Sequence, residues 1–195
     1  NELSQLTAAE VRRLTGFDRV LIYQFDAEWN GTVVGEDGSG RLPSYLHHRF
    51  PAGDIPAQAR ELYLQNRLRI IPDASYRPVP LVPQHNPRTG QTLDLSFATL
   101  RSVSPVHVEY MRNMETAASM SVSLLRHGRL WGLISCYHSE PRTVPFQLRE
   151  TCDLLKVPYP DGYVPPARAR LLAEDGRTGA HSGLSLAPRG AVGLR

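Results

Sequence analysis

The chain has 195 residues, 41% of them hydrophobic, enough for one globular core with a tail and too few for more than two small domains. With 22 basic and 19 acidic side chains the net charge is only +3, and Lys156 is the single lysine, so the basic excess reports a preference for arginine rather than the concentrated positive field of a nucleic-acid binder. No apolar run approaches the roughly 18 residues of a membrane span and no basic segment leads into an apolar one at the N-terminus; Cys136 and Cys152 are too few for a disulfide framework or a four-ligand zinc site, so a soluble, cytoplasmic chain is expected.

The segment Thr7-Ala8-Ala9-Glu10 is a capping box and Gly16 a C-cap, which predicts a short first helix with Leu6, Val11 and Leu14 on one face. Phe17 to Phe25 alternates as a strand, with Leu21, Tyr23 and Phe25 on one side and Val20 and Ile22 on the other. A turn at Asn30-Gly31 returns the chain through Thr32 to Gly35. Pro51 and Pro56 bracket Ala52 to Ile55 and exclude regular structure there; Pro56 suits the start of a helix from Ala57 to Arg67, with Asp54 at its N-terminus.

Leu68 to Ile71 reads as a short strand, followed by a proline-punctuated loop from Pro72 to Leu100. Ser104-Pro105 starts a helix with His107, Tyr110, Met111 and Met114 on one face. Ser119 to Leu125, the turn His127-Gly128 and Leu130 to His138 form a hairpin. Pro145 opens a last helix through Leu148, Cys152 and Leu155. From Val157 on, five prolines and six glycines in 39 residues predict a poorly ordered tail. The body, residues 1–156, is therefore α+β: helices around a central antiparallel sheet, with a long Pro-rich loop.

The stretches Arg49-Phe50-Pro51-Ala52-Gly53-Asp54-Ile55-Pro56-Ala57-Gln58-Ala59-Arg60, Leu100 to Met114, and Ser119-Met120-Ser121-Val122-Ser123 with Leu130-Trp131-Gly132-Leu133-Ile134 resemble the chromophore-binding GAF domain of a bacteriophytochrome, in order and at the family's spacing over residues 3 to 156. The resemblance implies a red/far-red photoreceptor module that binds biliverdin, a linear tetrapyrrole, and senses light by its photoisomerisation. It implies that Asp54, within Asp54-Ile55-Pro56, offers its backbone carbonyl to the pyrrole N–H groups. It places His107 against the inner rings and His138 near the carbonyl of the outermost ring. Arg69 and Arg101 would clamp one propionate, while Ser119 and Ser121 would bind the other. Tyr23, Phe50 and Tyr110 would line the pocket, with Tyr63 and Met120 beside them, and Ser104 belongs to the same motif.

Taken alone, these residues have plainer readings: Asp54 as a helix cap, a single histidine as a satisfied core residue, the serines as one face of a strand, and the aromatics as core. There are three departures from the resemblance. Plant and cyanobacterial members carry the attachment cysteine immediately before the helix histidine, where this chain has Val106, so binding is expected to be non-covalent. Glu115 stands where the family has glycine. Finally, Pro158 and Pro160 stop a helix that would continue toward a PHY domain, which suggests a truncated or frameshifted gene product.

The partners implied are the bilin, the PAS and PHY domains of a full-length phytochrome, which have no counterpart within these residues, and a second copy in a homodimer. An enzyme is not expected: Ser104, His107 and Asp54, or Cys136 and His138, could be assembled into a nucleophilic set, but no nucleophile elbow, phosphate loop or metal spacing supports one. The alternative is a bilin-free GAF signalling module that binds another small ligand or mediates dimerisation, told apart by colour on mixing with biliverdin.

Overall fold

The computed structural model describes residues 2–98 and 101–154; the tail from Val157, the prolines after Lys156 and the end of the loop at Leu100 lie outside the described residues. Six strands, β1 (Arg19–Phe25), β2 (Gly31–Gly38), β3 (Arg49–Phe50), β4 (Leu68–Ile71), β5 (Ala118–Arg126) and β6 (Arg129–His138), form one antiparallel sheet in the order β3-β2-β1-β6-β5-β4. Four helices accompany it: α1 (Glu2–Thr15), α2 (Ala57–Gln65), α3 (Pro105–Asn113) and α4 (Phe146–Leu154). This is the α+β architecture that the alternating segments predict.

The pleat sorts each central strand onto two faces. Val20, Ile22, Met120, Val122, Ile134 and Cys136 point to one side, where Ala8 and Val11 of α1 and Cys152 of α4 close a dry core with Phe17 and Val144. Leu21, Tyr23, Phe25, Val33, Leu130 and Leu133 point to the other, beneath Tyr45, Phe50, Ile55, Tyr63 and Tyr137. The first layer is aliphatic; the second is aromatic and opens toward polar side chains.

Two expectations about α1 need correcting. It starts at Glu2, not at Thr7, whose hydroxyl donates to the Leu3 carbonyl at 2.8 Å from inside the helix. Its buried face is Ala8, Val11 and Thr15, whereas Leu6 is exposed. The cause is tertiary: α1 lies so close to β2 that a Cβ on Gly35 would stand 2.6 Å from the Ser4 carbonyl carbon, and the Gln5 amide donates to the Glu36 carbonyl at 2.6 Å. The return strand β2 is correspondingly longer than Thr32 to Gly35. The expected C-cap holds, with Gly16 at φ +66. The hairpin turn also holds, with His127 and Gly128 both left-handed (φ 50 and 75), as a type I′ turn requires.

At the end of α3, Glu115 takes the left-handed conformation (φ 56). Its N–H donates to the Arg112 carbonyl and that of Thr116 to the Met111 carbonyl, both at 2.9 Å, which is a Schellman cap with glutamate in the glycine place. The backbone thus keeps the glycine geometry at the cost of strain. Glu115→Gly should relieve about 1 kcal/mol and raise Tm by about 2–4 °C in a calorimetric scan, while Glu115→Ala should give no such gain.

Gly31 answers a different need. A Cβ there would fall 1.7 Å from Cζ of Tyr23, so the Tyr23 ring lies directly across this strand. Gly31→Ala should push the ring off β2 and cost about 1–3 kcal/mol in denaturant unfolding.

Candidate functional site

Antiparallel register brings the polar residues of four strands into rows on the aromatic face. Arg69 pairs with Ser121, Ser121 with Ser135, and Ser135 with Leu21; in the next row Ser119 pairs with Tyr137 and Tyr137 with Arg19. Ser123 is fully buried and its hydroxyl donates to the Tyr63 carbonyl at 2.7 Å, tying α2 to this face. The segment from Phe50 to Ile55 and helices α2 and α3 supply the remaining walls.

Aromatic rings line one end. Tyr23 meets Phe25 edge-on at 5.2 Å between centroids and Phe50 at 5.9 Å, and Phe50 meets Tyr45 at 5.7 Å. Burial pushes the Tyr23 and Tyr110 phenols up, and the charge of Asp54 pushes both further, so β1, α3 and the turn carrying Asp54 converge. Tyr63 adds to both phenols and to that of Tyr137. Asp54 itself sits in a 3₁₀ turn, Ala52–Asp54, and not in a helix cap: Pro56 occupies the N-cap of α2 with no side-chain capping bond. Among the described residues no donor reaches the Asp54 carbonyl.

The other end is cationic. The Arg69 guanidinium stacks on Tyr63 with Cζ 3.8 Å from the ring centroid. Burial lowers its pKa; Tyr63 opposes this, and the like charge of Arg101 lowers it further. Neither arginine pairs with a carboxylate among the described residues; Arg101 donates to the Ala98 carbonyl at 2.8 Å. His107 lies parallel to Tyr110 at 6.2 Å. The residue is exposed, and its partial desolvation lowers its pKa, with Arg69 adding to the effect.

Two expected site residues fall elsewhere. His138 faces the helix-covered side, 8% exposed, with Phe17 edge-on at 6.0 Å and its Nδ1 accepting the Asp18 N–H at 3.1 Å. Tyr137, one residue earlier, occupies the site face. Met120, between Ser119 and Ser121, points into the aliphatic core for the same reason. Ser104 is the N-cap of α3 with Pro105 at N1, but its hydroxyl makes no capping bond and is exposed. Ile55 packs against the aromatic layer, whereas Pro56 is exposed at the start of α2.

Sequence reasoning missed Tyr137, Tyr45 and Arg19. The first was readable by counting in twos from Leu133. Arg19 is fully buried between the Tyr45 ring (4.3 Å) and the Tyr137 ring (5.1 Å), with Nη1 donating to the Pro43 carbonyl and Nε and Nη2 finding no hydrogen-bond partner among the described residues.

An acceptor carbonyl held between prolines, an arginine pair without carboxylates, strand serines and aromatic walls suit a flat conjugated ligand bearing N–H donors and acidic side arms. Residues 1–157 match the GAF domain family. The chain belongs to that family. This GAF domain is homologous to phytochromes: it is 55% identical over 154 residues to cyanobacterial phytochrome B of Nostoc sp., covering 79% of this chain and 20% of that protein. It is 51% identical over 140 residues to a bacteriophytochrome of Pseudomonas aeruginosa, covering 72% of this chain and 19% of that protein. The GAF domain thus spans about a fifth of the length of these curated relatives.

Among solved structures, the chromophore-binding domain of an unusual bacteriophytochrome from R. palustris superposes with a TM-score of 0.74 at 48% identity, over 91% of this chain and 53% of that one. That of Stigmatella aurantiaca phytochrome P1 gives 0.74 at 53% identity, over 80% and 51%. Among the described residues no helix is long and apolar enough to cross a membrane.

The polar cluster under His138 generates a pH dependence. Burial pushes the Asp18 carboxyl up, but bonds from the Ser139 N–H (3.0 Å), Ser139 hydroxyl (2.6 Å) and Ser39 hydroxyl (3.1 Å), with His138 nearby, bring it below the usual carboxylate value. Burial lowers the His138 pKa, Asp18 opposes, and Arg142 lowers it again; the neutral ring is the form that accepts the Asp18 N–H. Below about pH 6.5 the unfolded chain therefore takes up protons at His138 and His107 more readily than the folded chain, so stability falls on acidification. Urea unfolding between about pH 7 and 5 should show this decline, and His138→Gln should flatten it relative to wild type.

Proposed function

We propose that this GAF domain is a red/far-red light-sensing module that binds a linear tetrapyrrole of the biliverdin type without a covalent bond. The observation that carries this reading is the meeting, over one sheet face, of the turn of Asp54, whose carbonyl accepts from no donor among the described residues, the Arg69–Arg101 pair and the Tyr23, Phe50, Tyr63 and Tyr110 rings. When bound, the bilin supplies light absorption and isomerisation of the double bond next to its last ring.

The residues divide the work by chemistry. The Asp54 carbonyl accepts from pyrrole N–H groups, and its fixed position favours the protonated ring system. Arg69 and Arg101 take a propionate; repulsion between them is relieved by the anion. Ser119 and Ser121 donate to the second propionate, and His107 packs against the inner rings. Tyr23, Phe50, Tyr63 and Tyr110 exclude water from the isomerising end. Tyr137, in place of His138, presents a phenol there.

Non-covalent binding is supported by the thiols: Cys136 and Cys152 are buried on the opposite face and burial pushes both up in pKa, away from the reactive thiolate. Val106, beside His107, offers none.

A charge-assisted hydrogen bond contributes about 1.5–3 kcal/mol, so Arg69→Ala and Arg101→Ala should each weaken biliverdin binding about tenfold or more in an absorbance titration of apo-protein. On a denaturing gel the wild-type complex should show no zinc-induced bilin fluorescence. Unchanged affinity in both variants would remove the clamp, and a fluorescent band would refute non-covalent binding.

A further inference from the structure

The tip of the β1–β2 hairpin carries an uncommon strain. Trp29 sits at φ 67, left-handed backbone that a bulky residue adopts only where its surroundings impose it. Its ring packs edge-on against Phe25 at 5.6 Å and carries the Arg60 guanidinium, with Cζ 4.6 Å from the centroid. Arg60 extends from the first turns of α2 back across the preceding segment. Its Nη1 donates to the Ile55 carbonyl at 2.6 Å and, at the limit of reach, to the Ala52 carbonyl at 3.5 Å.

The same tip holds the turn from its other end. Asn30 Oδ1 accepts the Ala52 N–H at 3.2 Å. Asn30 is fixed in turn by the Asp26 carboxylate, which accepts its backbone N–H at 2.8 Å and its side-chain amide at 3.1 Å, while Arg49 pairs with Asp26 at 2.6 Å. Carbonyls on both sides of Asp54 are thus engaged by one guanidinium, and the turn's first N–H is engaged by the hairpin. The Asp54 carbonyl, like that of Gly53 before it, accepts from no protein donor among the described residues, and it lies between the two carbonyls that Arg60 engages.

We infer that Trp29 and Arg60 are positioning residues: stacked on each other, they clamp the Ala52–Asp54 turn so that the Asp54 carbonyl stands where it favours a protonated chromophore. The inference rests on the bilin reading above. Neither side chain is assigned a contact with the ligand. The strained tryptophan backbone is maintained because the stack and the two carbonyl bonds offset its cost, and those contacts hold the turn against displacement. The titratable and charged groups facing the turn are Asp54 itself, Tyr23 from β1, Tyr110 from α3, and Asp26 with Arg49 at the hairpin. All are retained in the variants below.

The test uses Arg60→Gln, Trp29→Leu, the double variant, Arg60→Lys, and Arg13→Gln as a surface control. In apo-protein, amide hydrogen exchange at Ala52 and Asp54 should quicken in Arg60→Gln and Trp29→Leu and not in the control. With biliverdin bound, the alkaline midpoint at which the red band is lost should fall by about one pH unit, a tenfold change, in each single variant. The double variant should fall no further than the worse single one, because both remove the same clamp. Arg60→Lys, which keeps a cation over Trp29 and a donor to Ile55, should recover most of the midpoint.

Unchanged exchange in apo-protein overturns the clamp. Faster exchange with an unmoved midpoint shows that the clamp is structural only and overturns its link to protonation; additive falls overturn the shared mechanism. A wild-type protein that forms no red band refutes the bilin reading itself, an outcome that the apo exchange rates keep separate from failure of the clamp.

Discussion

The two-residue period of the central strands governs everything else in this molecule. Because β1, β5 and β6 each present alternate side chains to opposite faces, sealing one face with α1 and α4 consumes Val20, Ile22, Met120, Val122, Ile134 and Cys136 and leaves the interleaved set for the other. That second set cannot be apolar throughout without leaving a large sticky surface. It is instead a mixture of rings, hydroxyls and guanidinium groups, and the long connections after β2, β3 and β4 close over it. The site is what the sheet has left once its core is made.

What was legible in the sequence was whatever depends on neighbours in the chain. The β6 hairpin follows from His127-Gly128, and β1 from its own alternation. The start of α1 was not legible, because the residues that extend it upstream, Ser4 and Gln5, are held by Gly35 and Glu36, about thirty positions away. The capping box at Thr7 is a real local preference that packing overrides.

The candidate site shows the same division. For Tyr23, Arg69, Ser119 and Ser121 the pleat places the side chains on the aromatic face that the resemblance implies. For His138 and Met120 the phase differs: the pleat turns the histidine at the end of β6 to Asp18 and the methionine into the aliphatic core, and it is Tyr137 that packs with the aromatic face. A shift of one residue in a strand exchanges a ligand wall for a core residue. Contacts such as Trp29 with Arg60, made between separate elements, leave no trace in local pattern at all.

Arg19 carries one consequence that concerns fields and not contacts. Its guanidinium lies in a slot between two tyrosine rings, buried from water, and among the described residues it is held by a single carbonyl. Mobile ions cannot approach a guanidinium that water cannot reach. The sheet face therefore carries a positive charge at the Tyr137 end that dissolved anions cannot pair with directly. The Arg69–Arg101 end is different, since dissolved anions can compete there. Whatever lies along this face spans one fixed electrode and one adjustable one, and the polarisation of a conjugated system between them would respond to the medium from one side only.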